Sequence, residues 1–206
     1  MKLKLYYSHN SNPRLAVVVA RHVKAPVEFV RAAPFAPDQI EFFRKLNPNT
    51  RVPILLEDGA PLWETDAIAC RLCQLTGSDL WPAPERLPEL LRWLSWAHQH
   101  FNPPASALYF EYIVKPTFTS DREPRAVMDA RVNEFRQFAA VLDGELKGRR
   151  WLIDDRLSYA DLRVAFVFPF AERAQLPLAD YPEVQRLADQ LNELEAWRDP
   201  FRGLEA

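Results

Sequence analysis

Between residues 76 and 88 the chain reads TGSDLWPAPERLP, three prolines with no hydrophobic periodicity, the composition of a stiff connection rather than of a strand or a helix. Two bodies are therefore expected, residues 1–76 and 89–206, joined by a linker over 77–88. Before the linker, Leu3, Leu5 and Tyr7 alternate with Lys2, Lys4 and Tyr6, the period of a strand with one buried face. Polar residues 8–12 and then Pro13-Arg14 open an apolar run to Val23, which reads as a loop and a helix with proline in its first turn, ended by Ala25-Pro26. Residues 27–30 form a second strand. Residues 36–46, with Ile40, Phe43 and Leu46 at helical spacing, form a second helix that Asn47-Pro48 stops. An apolar run over 52–56, a turn at Glu57-Asp58-Gly59 and a returning strand over 60–63 make a hairpin, and a third helix follows over 64–75.

Strand, helix, strand, helix, hairpin, helix is the thioredoxin-like layout, a mixed sheet with helices on both faces. Pro53 stands at the head of a strand, where proline is tolerated only at an end, an edge or a special bond. A cis bond there would turn the backbone of Val52 toward a ligand. Beyond residue 89 every strong segment is helical, as in Met128, Val132, Phe135, Phe138, Leu142 and Leu146 at steps of three and four. Ser158 and Asp161 have the spacing of a capping box, flanked by Leu157 and Leu162 as a hydrophobic staple, and the helix they open should kink or end at Pro169. The expected fold is an α/β thioredoxin-like N-terminal domain followed by an all-α helical-bundle C-terminal domain.

Composition narrows the function. With 26 Lys and Arg against 28 Asp and Glu there is no global basic field for nucleic acid or an anionic membrane. The N-terminus lacks the apolar core of a secretory signal, and no apolar run reaches the roughly 20 residues of a bilayer span. Two cysteines exclude a disulfide scaffold and a four-cysteine metal site, and a reducing cytoplasm is the simplest location. Cys70 and Cys73 form a CxxC inside the third helix rather than at the start of the first, where dithiol exchange needs it, so packing is their expected role. His98 and His100, two apart on a helix, point to different sides and make no metal site. No GxSxG, P-loop or GxGxxG occurs.

Three segments carry a family resemblance. Leu46-Asn47-Pro48-Asn49-Thr50-Arg51-Val52-Pro53 is similar to the valine–cis-proline segment of the cytosolic glutathione transferases. Trp63-Glu64-Thr65-Asp66-Ala67-Ile68 resembles their Glu-Ser/Thr motif, and residues 151–161 resemble their late capping box. The resemblance covers essentially the whole chain and implies a detoxifying, homodimeric transferase that conjugates glutathione to a small electrophile, without a metal. The tripeptide presents a thiol of pKa about 8.5, an ammonium and two carboxylates. Glu64 would pair with the ammonium, and Thr65 at a helix N-terminus would receive the γ-glutamyl carboxylate. Val52 beside Pro53 would pair backbone to backbone with the cysteinyl residue, and Arg51 would reach the glycyl carboxylate.

By the same resemblance the thiolate stabiliser lies where the first strand gives way to the first helix. Ser11 fits the spacing of the serine-type members, with Ser8, Asn10 and Asn12 as alternatives. Tyr109 and Tyr112 are candidates for the electrophile site. Pro37-Asp38-Gln39 and Thr50 stand where serine-type members often carry basic residues, which lowers the expected affinity for glutathione. Two other functions fit the same pattern: a non-catalytic member that binds a ligand or partner, and a glutathione-dependent peroxidase.

Overall fold

The computed structural model describes residues 1–204. They divide into two compact units, Met1–Trp81 together with the chain from Leu194 onward, and Pro82–Glu193.

The first unit adopts the thioredoxin-like layout. Strands β1 (Leu3–Tyr7), β2 (Val27–Arg31), β3 (Ile54–Glu57) and β4 (Ala60–Trp63) form one sheet in the order β2-β1-β3-β4. β1 and β2 are parallel because helix α1 (Ser11–His22) makes the crossover between them; β1–β3 and β3–β4 are antiparallel. Asp58 and Gly59 both take positive φ, 49° and 91°, as a two-residue hairpin turn requires. Leu3, Leu5 and Tyr7 are buried, but so is Tyr6, because helix α2 (Ile40–Leu46) sets Phe42 and Phe43 edge-on to its ring at 5.9 and 5.4 Å. β1 is thus covered on both faces rather than one. Helix α3 (Thr65–Thr76) packs against α1, which is buried nearly all round from Pro13 to Ala20.

Prolines account for where elements differ from expectation. α2 begins at Ile40 rather than 36: Pro37 disfavours helical backbone at Ala36, whose N–H instead closes a turn on the Ala33 carbonyl at 2.8 Å. β3 begins after Pro53, which has no N–H to give a ladder.

In the second unit, helix α4 (Leu87–Trp96) continues through a π-helical stretch, Ala97–Phe101, into α5 (Asn102–Tyr109) and a second π-helical stretch, Phe110–Val114. Pro103 and Pro104 withhold two N–H groups, and the ladder shifts to a five-residue step just before them, Asn102 N–H donating to the Ala97 carbonyl. α4 already starts inside the expected linker. Helix α6 (Arg125–Leu146) buries Met128, Phe135, Ala139, Leu142 and Leu146.

Helix α7 (Tyr159–Val164) opens on the expected capping box, the Ser158 N–H donating to Asp161 Oδ2 at 2.9 Å. It ends five residues before Pro169. Continuing it would clash the proline ring with the Ala165 carbonyl and leave that carbonyl without a donor; it accepts from Phe168 N–H at 2.8 Å instead.

Helix α8 (Pro182–Glu193) closes the second unit, and α9 (Glu195–Arg198) follows. Residues from 194 onward, expected from the sequence to lie in the helical domain, join the first unit: α9 packs on α1 and Trp197 is 1% exposed. A four-residue helix has no periodicity from which its destination can be read.

Candidate functional site

Strand register brings three loops to one edge of the sheet. Tyr6 pairs with Ile54 and Ile54 with Trp63, so the end of β1, the beginning of β3 and the end of β4 lie side by side. Residues 8–12, 47–53 and 64–66 all leave from that edge.

In the first loop Asn10 precedes α1 with extended backbone, φ −67° and ψ 160°, and its carbonyl accepts from Arg14 N–H at 2.8 Å. Ser11 is the first residue of α1 and is buried; Pro13 occupies a first-turn position whose N–H would have no intrahelical partner. Ser11 therefore stands at the positive end of a twelve-residue helix. His9, two residues earlier, packs against Phe201 with ring centroids 4.3 Å apart and planes tilted by 33°. Burial, and then the charge of Arg31, lower the His9 pKa, so its imidazole is neutral at pH 7.

The second loop is held by Asn47, 3% exposed, whose amide donates to the Arg51 carbonyl at 2.9 Å while its Oδ1 accepts from Asn49 N–H at 3.0 Å. Thr50 takes positive φ, 52°, to close the turn. The Val52–Pro53 bond is cis, with Pro53 buried and Val52 half-buried. Arg51 is exposed, its guanidinium 5.9 Å from the Phe35 ring.

At the third loop Glu64 is exposed and holds φ 73°, ψ 127° immediately before α3. Few non-glycine residues adopt this conformation, which costs about 1–3 kcal/mol and clusters at ligand sites. Thr65 is 4% exposed, and its hydroxyl donates to the Asn12 carbonyl at 3.4 Å. That contact ties the start of α3 to the first turn of α1. Ser11, Glu64, Thr65, Val52 and Arg51 are thus gathered on one edge, a hydroxyl at one helix start and a carboxylate and hydroxyl at another.

Tyr109 and Tyr112 belong to the second unit. Tyr109 is buried with its ring 4.8 Å from that of Phe170, and Tyr112 is half-buried on the π-helical stretch. Cys73 is buried, which pushes its thiol up to about 11, and burial raises the Cys70 thiol too, so neither is a nucleophile at neutral pH. Among the described residues no group of three or more His, Cys, Asp or Glu side chains is arranged to hold a metal ion, and no helix is long and apolar enough to cross a membrane.

A model of the glutathione S-transferase N-terminal domain matches residues 1–70, and one of the C-terminal domain matches residues 101–195. The chain belongs to the cytosolic glutathione transferase family. Glutathione S-transferase GstB of Escherichia coli K12 is 27% identical over 196 residues, 93% of each chain. Elongation factor 1-gamma of Homo sapiens is 30% identical over 166 residues, 77% of this chain but 36% of that protein. Among solved structures, a glutathione transferase from Pseudomonas putida with glutathione disulfide bound superposes with a TM-score of 0.81 at 23% identity, covering 99% of this chain and 92% of that one.

Two parts of this transferase-family site were not legible beforehand. Asn47 lies in the motif, but its amide forms a single-residue brace that no spacing rule signals. Phe201 is 192 residues from His9 in sequence, and no local pattern links them.

Proposed function

We propose that the chain is a glutathione transferase that binds the tripeptide at the loop edge of its first unit and attacks a small electrophile with the sulfur. The observation that carries this reading is the Thr65–Asn12 contact, which joins a helix start suited to a carboxylate to the helix start bearing Ser11. Glu64 takes the ammonium and Thr65 the γ-glutamyl carboxylate. The Val52 backbone pairs with the cysteinyl residue, and Arg51 takes the glycyl carboxylate. Ser11 donates its hydroxyl to the sulfur.

Lowering a thiol pKa by two units takes about 2.7 kcal/mol. A charge-assisted hydrogen bond contributes about 1.5–3 kcal/mol and a helix terminus about 0.3–1 kcal/mol, so the two together suffice without a general base. Ser11→Ala should therefore lower kcat/KM for an aryl halide by about tenfold or more near pH 6, and the deficit should close above about pH 8.5, where the thiol ionises unaided. A loss that is the same at every pH would remove Ser11 from this role in favour of Ser8, Asn10 or Asn12. Comparing the aryl halide with a hydroperoxide at fixed glutathione separates transfer from peroxide reduction.

The protein acts as a cytoplasmic homodimer in this reading, and sedimentation should give twice 23.9 kDa. A second reading, a ligand- or partner-binding member without catalysis, is favoured by the similarity to a protein named for translation elongation rather than glutathione transfer. Calorimetry with millimolar glutathione decides between them: heat of binding supports the transferase, and its absence supports the binding module.

A further inference from the structure

Residues 195–202 are fastened along one face of α1. Arg14 and Arg21, seven residues and so two turns apart, point to the same side of the helix. The Arg14 guanidinium, 6% exposed, donates to the Trp197 carbonyl and lies 5.0 Å from the centre of the Trp197 ring. Arg21 donates to the Arg202 carbonyl at 2.6 Å, and Arg202 pairs with Glu195 at 2.7 Å, closing the segment on itself. So held, the segment delivers Phe201 to the tip of the first loop. The ring stacks on Tyr7, centroids 5.6 Å apart, and packs against His9 at 4.3 Å with the planes tilted by 33°. Tyr7 is the last residue of β1, and His9 lies two residues before Ser11.

We propose that Phe201, acting through His9 and held by the Arg14–Trp197 and Arg21–Arg202 contacts, is a positioning residue for the loop that presents Ser11 to the glutathione sulfur. Residues 8–10 span the step from β1 to α1 and contain no proline or cysteine, so the ring packed on His9 adds a hold between the two elements that bound them. A hydroxyl stabilises a thiolate only over a narrow range of distance and angle, so slack in this loop weakens the bond to sulfur before it weakens the grip of Glu64 and Thr65 on the rest of the tripeptide. The inference rests on the transferase reading given above.

The test uses the full chain with Phe201→Ala, Phe201→Tyr and His9→Ala, and two ligands, glutathione and S-methylglutathione, which keeps the peptide but whose sulfur cannot ionise. The ultraviolet band of bound glutathione thiolate is titrated against pH, and amide exchange is followed over residues 8–12. Phe201→Ala and His9→Ala should each raise the bound thiol pKa by about one unit, a tenfold loss of thiolate on the acid side. Exchange over residues 8–12 should quicken, and affinity for S-methylglutathione should change by less than about twofold, well under the tenfold that 1.4 kcal/mol represents. Phe201→Tyr should restore the wild-type titration.

An unchanged titration in both alanine variants overturns the positioning role while the transferase reading stands. Equal losses for both ligands reduce Phe201 to a general packing residue and overturn it as well. A wild-type protein that binds neither ligand overturns the transferase reading itself, and the inference with it.

Discussion

Glu64 joins two opposing demands in one residue. Its backbone, at φ 73°, suits glycine, while its carboxylate, exposed immediately before α3, is the acid proposed to hold the ammonium. The two demands separate by substitution. Glu64→Ala should weaken glutathione binding by about 10–100-fold, the worth of one charge-assisted hydrogen bond, and keep the backbone strain. Glu64→Gly should lose the same affinity but unfold at a temperature no lower than the alanine variant, because glycine adopts positive φ at no steric cost. Calorimetry and thermal unfolding of the two variants check this, and a glycine variant that is clearly the less stable would show that the conformation is not strained. The place of Glu64 at the start of the third helix was legible in the sequence. Its conformation was not, since nothing local forces an acidic residue into the left-handed region.

At the level of elements, Pro26 and Pro48 made the ends of α1 and α2 legible, whereas the starts of α2 and β3 lie beyond the expected ones. Of the register that gathers the three loops, the β3–β4 part follows from the hairpin turn at Asp58-Gly59, visible in sequence; the β1–β3 pairing does not, because β1 is buried on both faces. α7 shows the other side. Its capping box was readable from Ser158 and Asp161, yet Asp161 also accepts from Leu152 N–H at 2.9 Å, nine residues back, and has no solvent exposure. Burial outweighs the donated hydrogen bonds and pushes its carboxyl up to about 6, against 3.8 as an ordinary carboxylate. With the folded pKa raised, the folded state holds the proton more tightly, and stability falls as pH rises from 3.8 to about 6. The ionisation penalty, about 3 kcal/mol, is then complete and constant at higher pH. Asp161→Asn cannot titrate. Denaturant unfolding of the two proteins should show the wild type losing about 3 kcal/mol relative to the variant between about pH 4 and pH 6.5, and a constant difference would mean the carboxyl titrates alike folded and unfolded.

Across the whole molecule the chain divides between Trp81 and Pro82, inside the proline-rich segment, but the placement of residues 194–204 was not legible, because the helical pattern that leads up to them belongs to the other unit. On the first unit they meet a buried cation. Burial pushes the Arg14 guanidinium down to about 10, so it remains charged at neutral pH and needs the Trp197 carbonyl and ring as its partners. Trp197→Ala removes a fully buried side chain and one of those partners, and should cost about 3–5 kcal/mol. Arg14→Met keeps the stem of the side chain and deletes the charge; it leaves only a carbonyl to be satisfied and should cost about 1–3 kcal/mol. Because part of the tryptophan's worth is its contact with the cation, the double variant should be less destabilised than the two single values added together. Chemical denaturation of the four proteins yields that coupling directly. Strict additivity would show that Trp197 packs against α1 without regard to the charge of Arg14, and that hydrophobic burial alone holds this segment on the first unit.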